Sequence, residues 1–227
     1  MGVTKPNRLI VFDCDGTLVD SQHNIVEAMT RAFRRHDLHD PVPEEVRRTV
    51  GLSILESVGR LLPDMPYDTL ESVGEAYRTA SYELRLEPNH EEPLFPGIGE
   101  MIRSLSGTDA ILAVATGKSQ RGLRKTLQHH DLKKHFTILK TSDDGPGKPD
   151  PTILLDAIAE AGADAGSTVM IGDTVFDIAM ARSANAHAVG VNWGYHEPDE
   201  LDAAGAHVIL DEINELPNFL ETLWGKN

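Results

Sequence analysis

Short apolar runs alternate with segments of helical periodicity at the start of the chain and throughout its second half. Six runs rich in strand-forming residues end in polar residues or glycine: 9–12, 110–115, 136–139, 169–171, 188–191 and 208–210. The segments between them carry apolar residues at helical spacing: 99–106, 119–130, 152–161, 177–185 and 198–204. This alternation predicts βα units, and therefore an α/β fold with a Rossmann-like parallel sheet covered by helices on both faces.

Residues 21–93 break this alternation. Four stretches in the segment carry apolar residues on one face of a helix, and no convincing strand appears. They are residues 25–33, 46–50, 54–62 and 70–80. We therefore predict an α/β domain formed by residues 1–20 and 94–227, with a helical domain, residues 21–93, inserted after the first strand. Asp20–Ser21 and residues 93–97 are the expected hinges.

The composition narrows the range of partners. The 227 residues carry a formal net charge of −15, which disfavours nucleic acid and anionic membrane surfaces as partners. No run approaches the roughly 18 apolar residues of a membrane span, and residues 1–8 lack a signal peptide's apolar stretch, so a cytoplasmic location is expected. A monomer or homodimer that binds a small anionic substrate fits these limits, because a local metal and a lysine can reverse the potential inside a cleft. Residues 224–227 are expected to fray.

Two aspartates stand where the first predicted strand ends. Asp13 and Asp15 follow the apolar run 9–12, and Gly16 breaks the strand directly after them. Because successive strand residues face opposite ways, these two side chains share one side. Two neighbouring carboxylates are costly unless a cation lies between them. The pair therefore indicates a magnesium site beside a carboxylate nucleophile.

Polar residues also follow the second, third and fourth predicted strands. They are Thr116, Gly117, Lys118, Lys148, Asp173 and Asp177. In a parallel sheet all these strand ends lie along one edge, where ligands bind. Phosphoryl transfer suits this set: Asp13 and Asp173 can offer carboxylates to Mg²⁺, while Lys148 and Thr116 can offer a charge and a hydroxyl to a phosphate.

Four motifs in order resemble the haloacid dehalogenase superfamily of phosphohydrolases. Asp-Cys-Asp-Gly-Thr at residues 13–17 resembles the first motif and Thr116 the second. Lys148 in Gly-Lys-Pro-Asp-Pro resembles the third, and Gly-Asp-Thr-Val-Phe-Asp at residues 172–177 the fourth. Order and spacing agree over essentially the whole chain. The helical insertion after the first strand resembles the superfamily's α-helical cap.

The resemblance implies a role for each motif residue. Asp13 would become a phospho-aspartate, and Asp15 would first protonate the leaving oxygen and then activate water. Asp13, Asp15 and Asp173 would hold Mg²⁺, with Asp177 as outer support. The residues implied in catalysis or in contact with the substrate phosphate, beyond these aspartates, are Gly16, Thr17, Thr116, Gly117 and Lys148.

Two other activities of the superfamily are disfavoured by the residues that this sequence keeps or lacks. Dehalogenases of this fold need neither a second aspartate nor magnesium, whereas this chain keeps Asp15 and Asp173. Phosphonoacetaldehyde hydrolases place a Schiff-base lysine in the cap, but no lysine occurs between Pro6 and Gly117. A phosphatase is therefore favoured over both. A catalytically silent binding protein is disfavoured because the motif residues are intact.

The chain most resembles phosphoglycolate phosphatases, so 2-phosphoglycolate is the expected substrate. A β-phosphoglucomutase-like sugar-phosphate mutase stays open as an alternative, as does a pyrophosphatase or nucleotidase of the same superfamily. A carboxylate-bearing substrate would need a cap arginine, for which Arg47, Arg48 and Arg60 are candidates. The preferred interpretation of these arginines, and of Lys118, is that they are solvated.

Overall fold

The computed structural model of the protein describes residues 6–225 and is built on a six-stranded sheet. In chain order the strands are β1 Asn7–Phe12, β2 Ile111–Ala115, β3 Ile138–Lys140, β4 Ala163–Gly172, β5 His187–Val191 and β6 Val208–Leu210. Every pairing is parallel, and the order across the sheet is β3-β2-β1-β4-β5-β6. Because β1 lies between β2 and β4, its carboxyl end opens near the middle of the sheet edge.

The prediction of an α/β fold with a parallel sheet is confirmed, and all six predicted strands are present. The main difference is that β4 begins at Ala163 rather than at residue 169. Its first part is polar, so the apolar pattern does not reveal it. This part is nonetheless paired with β1, where Ala163 lies opposite Asn7 and Thr168 opposite Leu9. The Ser167 hydroxyl also donates to the backbone oxygen of Asn7 at 2.8 Å.

Ten α-helices occur in the described part of the chain. They are α1 Gln22–Arg34, α2 Pro43–Arg47, α3 Ile54–Leu61, α4 Tyr67–Leu84, α5 Ile98–Leu105, α6 Gln120–His129, α7 Thr152–Ala161, α8 Val175–Ser183, α9 Pro198–Ala203 and α10 Leu216–Trp224. None of them is long and apolar enough to cross a membrane. The first four form the insertion between β1 and the rest of the sheet.

The two faces of the sheet are covered by different helices. On one face, Ile10 and Phe12 of β1 share a buried cluster with side chains of α5, α6 and α10. On the other, Leu9 and Val11 share a cluster with side chains of α7, α8 and α9. The alternation along β1 therefore buries the strand from both sides, as in other parallel sheets.

Helix α10 was not expected from the sequence, and it extends to Trp224, the first of the residues that were predicted to fray. Leu216 and Leu220 are buried in the sheet cluster. The Arg8 guanidinium lies 5.4 Å from the centre of the Trp224 ring and donates to the Trp224 backbone oxygen at 3.0 Å. The expectation of fraying is therefore wrong for Trp224, and residues 226–227 lie outside the described residues.

The four inserted helices pack around a hydrophobic cluster of their own. Its buried members are Met29, Ala32, Phe33, Val46, Val58 and Val73. The two linkers to this cap run side by side: the Asp20 amide donates to the Pro93 oxygen at 2.8 Å, and Phe95 donates to Leu18 at 3.1 Å. We propose residues 21–93 as the cap and residues 1–20 with 94–227 as the core; residues 1–5 of that assignment also lie outside the described residues.

Replacement of Ile102 by alanine is expected to destabilise the protein by about 2–5 kcal/mol, because the side chain is fully buried against the sheet and leaves a cavity. Urea unfolding followed by circular dichroism measures the change. The matched control is Leu155→Ala on α7, where the side chain is 44% exposed and the expected change is within about 0.5 kcal/mol. Equal losses in the two variants would contradict the layer assignment.

Candidate active site

Three buried aspartates meet at the carboxyl ends of neighbouring strands. Asp13 follows β1, Asp173 follows β4, and Asp177 lies in the first turn of α8. One carboxylate oxygen of each lies within 4.8 Å of one oxygen of the other two. The structure thus brings the predicted Asp13 and Asp173 together, and Asp177 joins them directly.

Lys148 is the counter-charge of this acidic cluster. Its Nζ lies 2.8 Å from Asp13 Oδ1 and 2.5 Å from Asp177 Oδ1, and its side chain is fully buried. Burial acts to lower the pKa of Lys148, but the carboxylates outweigh it and raise the pKa above its ordinary value. The lysine therefore stays charged beside the aspartates.

The carboxylates themselves are poorly stabilised as anions. Burial, which Lys148 offsets only in part, raises the pKa of Asp13 from 3.8 to about 7. Burial, then the charges of Asp177 and Asp13, raise the pKa of Asp173 well above its ordinary value. One ammonium group does not balance three buried acids, so the cluster favours a further cation.

The donor set fits a magnesium ion. Asp13 Oδ2 is buried and accepts no hydrogen bond from the described residues. Both oxygens of Asp177 are occupied, since Oδ1 accepts from Lys148 and Oδ2 accepts from the Thr174 hydroxyl at 2.7 Å. Asp13 therefore has an oxygen for a hard cation. Asp177 is arranged for outer support, because its Oδ1 is paired with the ammonium group of Lys148.

Asp173 is held by the two loops on either side of it. The Thr17 hydroxyl donates to Oδ1 at 2.8 Å, and the Tyr195 amide donates to Oδ2 at 3.0 Å. Gly16 adopts φ +83°, and a Cβ there would lie 2.1 Å from Asp173 Oδ2. A Cβ at Gly194 would lie 2.0 Å from Asp173 Cβ. Only glycine lets both loops approach this carboxylate.

The Asp15 side chain is not part of the acidic cluster. Its Oδ1 accepts hydrogen bonds from the Ser21 hydroxyl and from Lys118 Nζ. Lys118 also lies 3.2 Å from Glu92 Oε1, and its side chain is only 11% exposed. The expectation that Lys118 is solvated is therefore wrong. Its ammonium group forms ion pairs with two buried carboxylates, Asp15 and Glu92. Because these residues are far apart in the sequence, the sequence pattern does not predict the pairing.

A cavity of about 240 Å³ lies between the core and the cap. Asp13, Asp15, Thr116 and Gly117 line its core side. Gly16, Thr17 and Lys148, which were also expected at the phosphate, do not line it. Thr17 and Lys148 contact the acidic cluster instead, and Gly16 packs against Asp173.

The arginines in the cavity are not those suggested by the sequence. Arg47 pairs with Glu44, Arg48 pairs with Glu200, and the Arg60 guanidinium lies 4.8 Å from the centre of the Phe176 ring. The cavity is instead lined by Arg78 of α4, by Arg85 directly after this helix and by Arg121 of α6. The signal was present: Arg78 and Arg85 are seven residues apart, which places them on one face of a helix.

A family model of haloacid dehalogenase-like hydrolases matches residues 10–191, which include all four motifs. The chain belongs to this family. It is 35% identical over 211 residues to a probable phosphatase IndB of Dickeya dadantii, covering 92% of this chain and 91% of the other. It is 31% identical over 223 residues to the tyrosine-protein kinase PtkA of Mycobacterium tuberculosis, covering 92% and 72%.

Further similarities support the same family. The chain is 28% identical over 223 residues to a phosphoglycolate phosphatase of Agrobacterium fabrum, covering 96% of this chain and 94% of the other. It is also similar to the crystal structure of a hydrolase from Pseudomonas syringae, with a TM-score of 0.83 and 27% identity. That similarity covers 95% of this chain and 99% of the other.

Metal-free Asp13→Asn protein is expected to be more stable than metal-free wild type at pH 7.5, by at least about 1 kcal/mol. A carboxyl whose pKa is raised from 3.8 to about 7 keeps its proton in the folded protein after the unfolded chain has lost it. Its contribution to stability is therefore lost as the pH rises through this window.

Urea unfolding with a chelator at pH 5, 6 and 7.5 measures the difference. The advantage of the variant should grow with pH, and an advantage that is constant or grows as the pH falls would contradict the raised pKa of Asp13. The Asp131→Asn variant, at a side chain that is 83% exposed, is the control and should show no such trend.

Proposed function

We propose that this hydrolase is a Mg²⁺-dependent phosphatase that cleaves a small phosphate monoester through a phospho-aspartate on Asp13. One observation carries the proposal: Asp13, which lines the cavity, has a buried oxygen with no hydrogen-bond partner among the described residues and lies beside the buried Lys148. Phosphatase activity agrees with the family and with the names of several relatives. Asp13 and Asp173 would hold the metal with their carboxylates, and Asp15 with its backbone carbonyl.

In the first half of the reaction Asp13 attacks the phosphorus atom. The Asp13–phosphorus bond forms as the bond from phosphorus to the leaving oxygen breaks, and Asp15 gives that oxygen a proton. Lys148 and Thr116 donate to the charge on the phosphoryl group. When bound, Mg²⁺ supplies positive charge that offsets the repulsion between the carboxylate and the phosphate.

In the second half Asp15, now a carboxylate, takes a proton from water. The water oxygen bonds to phosphorus, and the bond from phosphorus to Asp13 breaks, which regenerates the carboxylate and releases inorganic phosphate. The same residue thus serves as acid and then as base. Its place on the cavity wall, next to Asp13, suits both steps.

Among small monoesters we propose 2-phosphoglycolate as the substrate. Several relatives are named phosphoglycolate phosphatase, at 26–28% identity. Arg78, Arg85 and Arg121 line the same cavity as Asp13 and can receive a carboxylate. We further propose that the enzyme works in the cytoplasm, as a monomer or homodimer.

Purified protein with Mg²⁺ is expected to release phosphate from 2-phosphoglycolate in a panel of phosphorylated metabolites. Excess chelator and the Asp13→Asn substitution should each lower the rate by at least about a thousandfold, because the nucleophile or its counter-charge is lost. The exposed-site variant Asp131→Asn should keep the wild-type rate. Phosphate release is measured by a colorimetric assay.

The same panel separates the alternatives. Interconversion of hexose phosphates primed by a sugar bisphosphate, with little phosphate release, would identify a mutase. Preference for pyrophosphate or for nucleotides would identify a pyrophosphatase or nucleotidase. No turnover of any phosphate ester with Mg²⁺ present would contradict the proposed function as a whole.

The Arg85→Gln variant is expected to raise KM for 2-phosphoglycolate by about tenfold or more, since a charge-assisted hydrogen bond to the carboxylate contributes roughly 1.5–3 kcal/mol. KM for ethyl phosphate, which lacks the carboxylate, should change by less than about twofold. Arg47→Gln, an arginine of the cap outside the cavity, is the control. Equal effects on both substrates would show that Arg85 does not recognise the carboxylate.

A further inference from the structure

Both linkers between the core and the cap are connected to the Asp15 carboxylate by hydrogen bonds. Ser21, where the first linker enters α1, donates its hydroxyl hydrogen to Asp15 Oδ1. Lys118 donates to the same oxygen. Glu92, on the returning linker, accepts from Lys118 Nζ at 3.2 Å. One linker thus reaches Asp15 directly, and the other reaches it through a single lysine.

Glu92 is a fixed group of the interior. Its side chain is 5% exposed, and its Oε2 accepts from the Thr126 hydroxyl of α6 at 2.8 Å. Its backbone oxygen lies 2.7 Å from His130 Nε2, at the end of the same helix. Burial would raise the pKa of Glu92, yet the charges of Lys118 and Arg85 lower it to about 2. Glu92 is therefore an anion that is anchored to the core.

Lys118 is held in position by its ion pairs with the Asp15 and Glu92 carboxylates. Its ammonium group lies between Asp15 and Glu92, at the end of a side chain that is almost wholly buried. Without the Glu92 charge, the lysine would have Asp15 as its one remaining ion-pair partner among the described residues. A flexible four-carbon side chain with one partner fewer can move, and it would take the Asp15 carboxylate with it.

Ser21 is fixed from a different direction. The residue is 1% exposed. Its backbone amide donates a hydrogen bond to the Tyr195 hydroxyl at 3.1 Å, which fixes its position in the linker. The two donors therefore approach Asp15 Oδ1 from two separately anchored groups. With Oδ1 occupied by both, Oδ2 is the oxygen placed to carry a proton to the substrate.

We infer that Ser21 and Glu92 are positioning residues that set the orientation of the Asp15 side chain, Ser21 directly and Glu92 through Lys118. The inference rests on the proposed function, in which Asp15 protonates the leaving oxygen. A general acid must lie within hydrogen-bond reach of that oxygen, so a small rotation of the carboxyl group weakens proton transfer. Neither residue needs to touch the substrate for this effect.

The effect has a signature that simple loss of structure would not produce. A poor leaving group such as phenolate depends on protonation, whereas 4-nitrophenolate leaves with little help. The ratio kcat/KM reports the steps up to release of the leaving group, and is insensitive to later hydrolysis of the phospho-enzyme. Misplacement of Asp15 should therefore lower kcat/KM for phenyl phosphate much more than for 4-nitrophenyl phosphate.

The experiment compares these two esters, with Mg²⁺, in wild type, Glu92→Gln and Ser21→Ala. Each variant should lose about tenfold in kcat/KM with phenyl phosphate and less than about threefold with 4-nitrophenyl phosphate. Glu200→Gln is the matched control, because it removes the charge from another ion pair between cap and core, that of Arg48 and Glu200. This control should not change the ratio between the esters.

A second arm asks whether both residues act through Asp15. In an Asp15→Asn background, adding Glu92→Gln or Ser21→Ala should change kcat/KM for 4-nitrophenyl phosphate by less than about twofold. A further tenfold loss there would overturn the inference, because the residues would then act on something else. Ser21→Ala removes one hydroxyl and keeps the test decisive if Glu92→Gln does not fold.

The outcomes distinguish this inference from the proposed function. If wild type releases phosphate from neither ester, the general-acid role of Asp15 is contradicted, and the inference is contradicted with it. If wild type is active and both variants lose the same factor with both esters, the phosphatase stands and only the positioning role is overturned. A selective loss with phenyl phosphate in both variants supports it.

Discussion

The burial of three carboxylates around one ammonium group is the constraint on which the rest of this site depends. Asp13, Asp173 and Asp177 lie within 4.8 Å of one another, and Lys148 contacts two of them. With all four side chains ionised, the cluster has a net charge of −2, and a divalent cation brings it to zero. The raised pKa values of Asp13 and Asp173 express the same imbalance in the metal-free protein. Folding thus brings together a set of carboxylates that favours binding of the divalent cation that the proposed reaction uses.

Packing carboxylates this tightly requires main chain without side chains around them. Gly16 and Gly194 leave room for Asp173, and a Cβ at Gly172 would lie 2.2 Å from Asp177 Cγ. Each of the three glycines follows or lies near a strand end, where the chain turns away from the sheet. The short motifs of the sequence therefore encode shape as well as charge: an aspartate supplies the oxygen, and a glycine lets a second loop reach it.

The sheet and the acidic cluster were predictable because their signals are local. A strand that is buried on both faces is a continuous apolar run in the sequence. In a parallel sheet the polar residue that follows such a run lies at the carboxyl edge, where ligands bind. The start of β4 and helix α10 were missed for the opposite reason. Residues 163–168 contain no large apolar side chain and belong to a strand that pairs with β1, while α10 is a single short helix after the last strand.

The parts of the site that face the cap depend on tertiary contacts that no linear pattern records. Lys118 looks like a surface lysine in sequence, and it is buried because Asp15 and Glu92 reach it from separate segments. Arg85 is a candidate because the tertiary structure places it, with Arg78 of α4, in the lining of the cavity. The roles of the motif residues, by contrast, follow from the resemblance of four short local motifs to those of the family.

The cavity is lined by several cationic side chains although the chain as a whole has a net charge of −15. Arg78, Arg85, Lys118, Arg121 and Lys125 all line it. Tyr82 of α4 faces two of them, with its ring centre 4.6 Å from the Arg121 guanidinium and 4.7 Å from Lys125 Nζ. These contacts hold a cap aromatic ring against a core helix at the rim of the cavity. Arg121 and Lys125 therefore have two roles in the proposed function: they attract an anionic substrate, and they connect the cap to the core through Tyr82.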